Sequence, residues 1–124
     1  MSGWTAQELD RIGAADELQI AALRPDGSLR PETTIWVVRV GDELYVRSWR
    51  GRAGTWFRSV LRRREGRIRA GGVDRDVAFA DAAGADQDAI DQAYRTKYAR
   101  YGPSYVDPMA GAVARAATLR LIAR

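Results

Sequence analysis

The stretch Thr33-Thr34-Ile35-Trp36-Val37-Val38-Arg39-Val40-Gly41-Asp42-Glu43-Leu44-Tyr45-Val46-Arg47-Ser48-Trp49 decides the fold. Its first eight residues are rich in β-branched side chains and nearly apolar throughout, which predicts one long buried strand over 33–40. Gly41-Asp42 supplies a turn, so residues 44–49 return beside it as the second half of an antiparallel hairpin. Upstream, residues 17–23 alternate Leu18, Ile20 and Ala22 on one face and read as a strand, followed by the turn Pro25-Asp26-Gly27. Downstream, residues 67–70 and 75–82 form a second hairpin about Gly71, Gly72 and Asp74, and residues 112–122 close the chain as a last strand.

Three helices fit between these strands. Thr5-Ala6-Gln7-Glu8 is a capping box, with Trp4 and Leu9 placed as a hydrophobic staple, and opens a helix over 5–13 that Gly13 ends. A second helix spans 55–64 from a Thr55 N-cap, with Trp56, Phe57, Val60 and Leu61 as its apolar stripe. The third, over 86–101, repeats Ile90, Ala93, Tyr94, Lys97, Tyr98 and Tyr101 at helical spacing and stops at Gly102-Pro103. Residues 104–109 read as an ordered loop or short turn. Six strands joined largely by hairpins predict an antiparallel sheet that closes into a small barrel, giving one α+β domain over 1–124.

The charge is segregated. Residues 47–75 carry ten of the twenty basic side chains and only two acids, Glu65 and Asp74, whereas the rest of the chain has ten basic residues against fourteen acids. Within that segment a strand, the glycine-containing loop Arg50-Gly51-Arg52-Ala53-Gly54 and a helix N-terminus follow in order. That order gathers backbone N–H groups where Arg47, Arg50 and Arg52 could add fork-shaped donors to a phosphate or carboxylate. The spacing is neither a Walker nor a dinucleotide fingerprint. Arg62, Arg63 and Arg64 instead complement the negative end of their helix. Trp49 is a candidate to stack on a planar ring and Trp56 a candidate for core or ring contact; Tyr101 and Tyr105, beside the Gly-Pro loop, are substrate-pocket candidates. The helical tyrosines Tyr94, Tyr98 and Tyr101 are expected to pack with their hydroxyls at the rim, and Asp107 to stabilise its loop.

The chain has neither cysteine nor histidine, which excludes thiolate chemistry, disulfides, histidine-based triads and zinc centres of the familiar kind. No apolar run approaches a membrane span, and the N-terminus lacks the features of a signal peptide, so a cytoplasmic protein is expected. The net charge of only +4, with one half acidic and no recognised nucleic-acid motif, argues against a dedicated nucleic-acid role.

The segments ELQIA, TTIWVVRVGDELYVRSWRGRAGTWFR, GRIRAGG and KYARYGPSYVDPM, with the late TLRL, resemble domain-of-unknown-function family 2255. That family falls in the split β-barrel group with pyridoxamine-phosphate-oxidase-like flavoproteins and deazaflavin-dependent nitroreductases. The resemblance implies a six-stranded split barrel, a homodimer, and FMN or a deazaflavin near the subunit interface. It places Arg47, Ser48, Arg50 and Arg52 at the cofactor phosphate with Trp49 and Trp56 adjoining, and Thr33, Thr34 and Trp36 beside the ring system. Under it the protein is expected to be a small oxidoreductase of unidentified organic substrate. The alternative is a cofactor-free dimeric binding module for a small anionic or planar ligand or a protein partner.

Overall fold

The segment 33–40 forms two strands rather than one. A computed structural model describes residues 2–82 and 84–124, with strands β1 (Leu18–Ala22), β2 (Thr33–Ile35), β3 (Val38–Val40), β4 (Glu43–Arg47), β5 (Glu65–Ala70), β6 (Val73–Asp81) and β7 (Thr118–Ala123). They make a single sheet in the order β2-β1-β5-β6-β7-β4-β3, with every neighbouring pair antiparallel. β2 and β3 lie at opposite edges although only Trp36 and Val37 separate them in sequence. The sheet therefore curls into a half-barrel, and one extended segment bridges its two edges. The expected count of six becomes seven for that reason.

A segment that pairs with one edge and then the other must leave both ladders between them. Val37 is the residue that does so, and side chains from a helix satisfy its backbone. Its N–H donates to Tyr98 Oη at 3.1 Å, and its carbonyl accepts from Lys97 Nζ at 2.7 Å. A buried peptide group without such partners would be costly.

The helices are α1 (Ala6–Ala14), α2 (Thr55–Arg63), α3 (Gln87–Lys97), α4 (Pro103–Met109) and α5 (Ala112–Arg115), with single 3-10 turns at Gly51–Ala53 and Ala99–Tyr101. The capping box holds: Thr5 Oγ1 accepts from Glu8 N–H, and Glu8 Oε1 from Thr5 N–H. Gly13 does not end α1; it lies inside the helix, where a Cβ would come within 3.2 Å of the Arg39 side chain. The expected long helix over 86–101 stops at Lys97 and tightens into a 3-10 turn. Residues 103–109 are a helix, with Pro103 in its first turn, where a missing N–H costs nothing. The expected last strand is half helix: the alanine-rich stretch around 112–117 takes the conformation alanine favours, and β7 starts only at Thr118. No helix among the described residues is long and apolar enough to cross a membrane.

Two apolar clusters result. One fills the curl, with Leu18, Ile20, Leu44, Val46, Ile68, Val77, Phe79, Leu119 and Leu121 from the strands, and Ile12 of α1 and Phe57 and Val60 of α2 closing it. The other lies outside β3 and β4, where Val38 and Tyr45 meet Ile90, Tyr94, Tyr98, Val106 and Met109 of the helical layer. Side-chain alternation along β4 feeds both: Leu44 and Val46 point in, Tyr45 and Arg47 point out. The helical layer covers that outer face, which is why β4 is buried on both sides.

Candidate ligand site at the strand–loop–helix junction

β4 ends at Arg47, and the chain turns through Ser48, Trp49 and Arg50 into the 3-10 turn and α2. Gly51 N–H donates to the Ser48 carbonyl at 2.8 Å, which tightens this turn. The N-cap of α2 is Gly54, one residue before the expected Thr55, and it provides no side-chain acceptor for the first-turn N–H groups. A glycine is needed there because a Cβ would lie 2.4 Å from Ser48 Oγ. The Ser48 hydroxyl thus sits directly against the positive end of α2. Ser48 is 1% exposed.

Two cavities adjoin at this junction and share Trp49 and Trp56 as a common wall. The first, about 430 Å³, mixes apolar walls from Ile20, Pro31 and Val60 with the polar groups of Arg30, Thr33, Ser48, Arg50, Thr55 and Ser59. The second, about 520 Å³, is mainly apolar, with Ile35, Trp36, Trp49, Trp56, Tyr105, Pro108 and Met109 around it. No carboxylate lines either cavity among the described residues. The protein offers hydrogen-bond donors and aromatic faces to these cavities.

Most of the sequence-derived candidates converge on these cavities. Ser48, Trp49 and Arg50 line the first, and Thr34, Trp36 and Tyr105 the second, with Trp49 and Trp56 in both. Trp49 is 59% exposed, and the Arg50 guanidinium lies 5.2 Å above its ring. Trp56 is half-buried, edge-on to Phe57. Trp36 stacks flat on Tyr98, with ring centroids 3.9 Å apart and planes 2° apart, so one face is fixed by the protein. Thr34 donates its hydroxyl to Gln19 Oε1 at 2.8 Å.

Arg47, Arg52 and Tyr101 are occupied elsewhere. Arg47 borders the apolar cavity, but all of its donors are committed internally: to Asp91 Oδ1 at 2.5 Å, Met109 O at 2.7 Å, Gln87 Oε1 at 2.7 Å, Gln87 O at 3.4 Å and Thr118 Oγ1 at 3.1 Å. Arg52 turns to the Ala116 carbonyl at 3.0 Å and Asp81 at 3.5 Å. Tyr101 donates to Asp16, which also binds Arg100, and lies outside both cavities. Those two partners hold the Asp16 carboxyl below its ordinary value, the Tyr101 hydroxyl contributing most. Tyr94 also departs from the expected rim position: burial hides its hydroxyl without a partner and pushes its pKa up. Asp107 pairs with Arg95 at 2.8 Å, tying α4 to α3.

Arg30 is a charged lining residue that the sequence did not announce. It precedes Pro31 in the β1–β2 connection, outside the basic segment that the charge pattern picks out.

Residues 8–121 match the family described as an uncharacterized protein conserved in bacteria, DUF2255. The chain belongs to this family. Among curated proteins no match is found. Solved structures similar to this family member include a conserved hypothetical protein from Mycobacterium tuberculosis, at 15% identity and a TM-score of 0.63, covering 98% of this chain and 81% of that one. An FAD-binding protein from Mesorhizobium loti gives 15% identity and 0.59, over 98% and 91%. An F420 reductase gives 11% identity and 0.50, over 93% and 90%. At such identities the likeness is one of fold alone.

Proposed function

We propose that this DUF2255 protein binds FMN or a deazaflavin, and that it is a small oxidoreductase acting on an organic substrate. The observation that carries this reading is the junction, at Trp49 and Trp56, of a cavity bearing arginines and hydroxyls with an aromatic one. An amphipathic ligand with a flat ring at one end and a phosphoryl group at the other suits that pair. Ser48, the first-turn amides of α2 and Arg50 hold the charged end. Trp36, Trp49 and Trp56 offer ring faces, and Tyr105 borders the remaining opening. The donor set fits, because the N-terminus of α2 has no side-chain cap and calls for an acceptor. When bound, such a cofactor supplies hydride or electron transfer, while the protein binds, orients and excludes water. The exposed apolar side chains of Trp49 and Tyr105 at the cavities support a homodimer in which a second copy covers them.

The test is visible absorption of freshly purified protein, then titration of the apo form with FMN and a deazaflavin, followed by fluorescence. Saturable binding weakened by Arg50→Ala is expected; failure to bind either rejects the reading. A second reading is a cofactor-free module for a small anionic or planar ligand, favoured by the lack of any carboxylate lining the two cavities among the described residues. Turnover of a nitro, quinone or enone substrate with reduced cofactor would eliminate it.

A further inference from the structure

Arg30 stands out from the chain's other arginines. Twelve of the nineteen form ion pairs among the described residues, and Arg30 is not one of them. Its Nε is buried without a hydrogen-bond partner. The nearby carboxylates are already taken: Glu32 by Arg69, through two contacts of 2.8 Å, and Asp74 by Arg67 at 2.6 Å. Its backbone is nevertheless held in place, because its N–H donates to the Ala22 carbonyl at 2.9 Å and Pro31 restricts its conformation to extended forms. A fixed base and an uncommitted, partly desolvated guanidinium make a costly arrangement unless an anion arrives.

The same cavity is lined by Arg50, also without an ion pair among the described residues, and by Ser48 at the start of α2. We propose that Arg30 and Arg50 together grip a doubly charged phosphoryl group, and that Arg30 is the residue that makes the site select phosphorylated ligands. Two guanidinium charges match a charge of −2, which either a terminal phosphomonoester or a diphosphate bridge provides. Rigid fork geometry in both arginines favours tetrahedral phosphoryl oxygens over a lone carboxylate. The proposal rests on the cofactor reading for the ring but not for the anion.

Dissociation constants for riboflavin, FMN and FAD are compared in the native protein, Arg30→Gln and Arg30→Lys, together with the rise in melting temperature produced by pyrophosphate. In the native protein FMN or FAD should bind at least about tenfold more tightly than riboflavin, a scale set by charge-assisted hydrogen bonds. The larger of the two ratios identifies the phosphoryl source. Arg30→Gln should collapse that ratio toward one while moving riboflavin affinity less than about twofold, with Arg30→Lys in between. Its melting temperature without ligand should not fall, since the side chain makes no bond to lose and its buried charge is relieved. Retention of the native ratio in Arg30→Gln overturns the proposal, as does an equal loss for riboflavin. If no flavin binds the native protein, pyrophosphate protection that Arg30→Gln abolishes still upholds the anion grip, and only the ring reading falls. No protection of the native protein by pyrophosphate overturns it.

Discussion

The Tyr98 hydroxyl accepts the Val37 amide proton at 3.1 Å, across 61 residues of sequence, at the point where the extended segment leaves one edge of the sheet for the other. It also lies 2.8 Å from the Asp16 carbonyl, to which its own proton can go, while Lys97 serves the Val37 carbonyl. Tyr98→Phe should therefore cost about 1–3 kcal/mol, the penalty for stranding a buried donor. Chemical denaturation with an unchanged m-value measures it. The Trp36 ring stacked on Tyr98 should keep its environment, because the aromatic face survives the substitution.

Lys97 gives the same seam a pH dependence. Burial lowers its pKa to about 8, with Asp16 opposing that shift and Arg100 adding to it. A lysine depressed in the folded state binds fewer protons there than in the unfolded chain, so stability should rise with pH between about 8 and 10. Above about 10 the trend should reverse, because burial raises the Tyr94 and Tyr98 pKa values, and the unfolded chain loses those protons first. Denaturation at pH 7, 8, 9 and 10 should show the rise, and Lys97→Met should flatten it. A slope unchanged in that variant would refute the assignment.

These two residues also mark where the sequence stops being legible. The hairpin, the capping box and the strand alternation are local signals, and the strand–loop–helix order brought Trp49 and Trp56 to one junction, whereas Ser48 and Trp36 entered through the family resemblance. A run such as Ile35-Trp36-Val37-Val38 has the same apolar pattern whether it pairs with one neighbour or changes partners midway. What reveals the change is a tyrosine and a lysine on a helix some 60 residues away. Arg30 was illegible for a related reason. Its freedom depends on Arg67 and Arg69 having claimed Asp74 and Glu32, a property of the folded surface rather than of composition. Arg47 shows the converse: it lies in the basic segment, yet the helical layer takes all of its donors.

That burial makes Arg47 a structural test. With its side chain 0% exposed and Asp91 at 2.5 Å, Asp91→Ala would leave a charged guanidinium under α3 and α4 short of its counterion. The expected cost is about 3–5 kcal/mol, the range for breaking a buried pair from one side. Arg115, 3.6 Å from the same carboxylate, cannot substitute, because it carries the same charge as Arg47. Thermal or denaturant unfolding measures the loss; a change below about 1 kcal/mol would mean water or Gln87 already satisfies the charge.

Gly54 and Ser48 offer a test of how the junction is built. The φ of −61° at Gly54 suits alanine, so Gly54→Ala introduces no backbone strain, only a Cβ 2.4 Å from Ser48 Oγ. The hydroxyl must then rotate away from the start of α2 or the loop must shift, at a cost of about 1–3 kcal/mol for an overpacked site. Removing the hydroxyl first should remove the clash. In a double-mutant cycle with Ser48→Gly, the Gly54→Ala penalty should shrink by more than about 0.5 kcal/mol, outside the range in which independent substitutions add. Additive effects would show that the two residues do not touch as described. Anion affinity discriminates further: Gly54→Ala should weaken pyrophosphate protection even at temperatures where the variant is fully folded, because it displaces the hydroxyl proposed to meet the phosphoryl group.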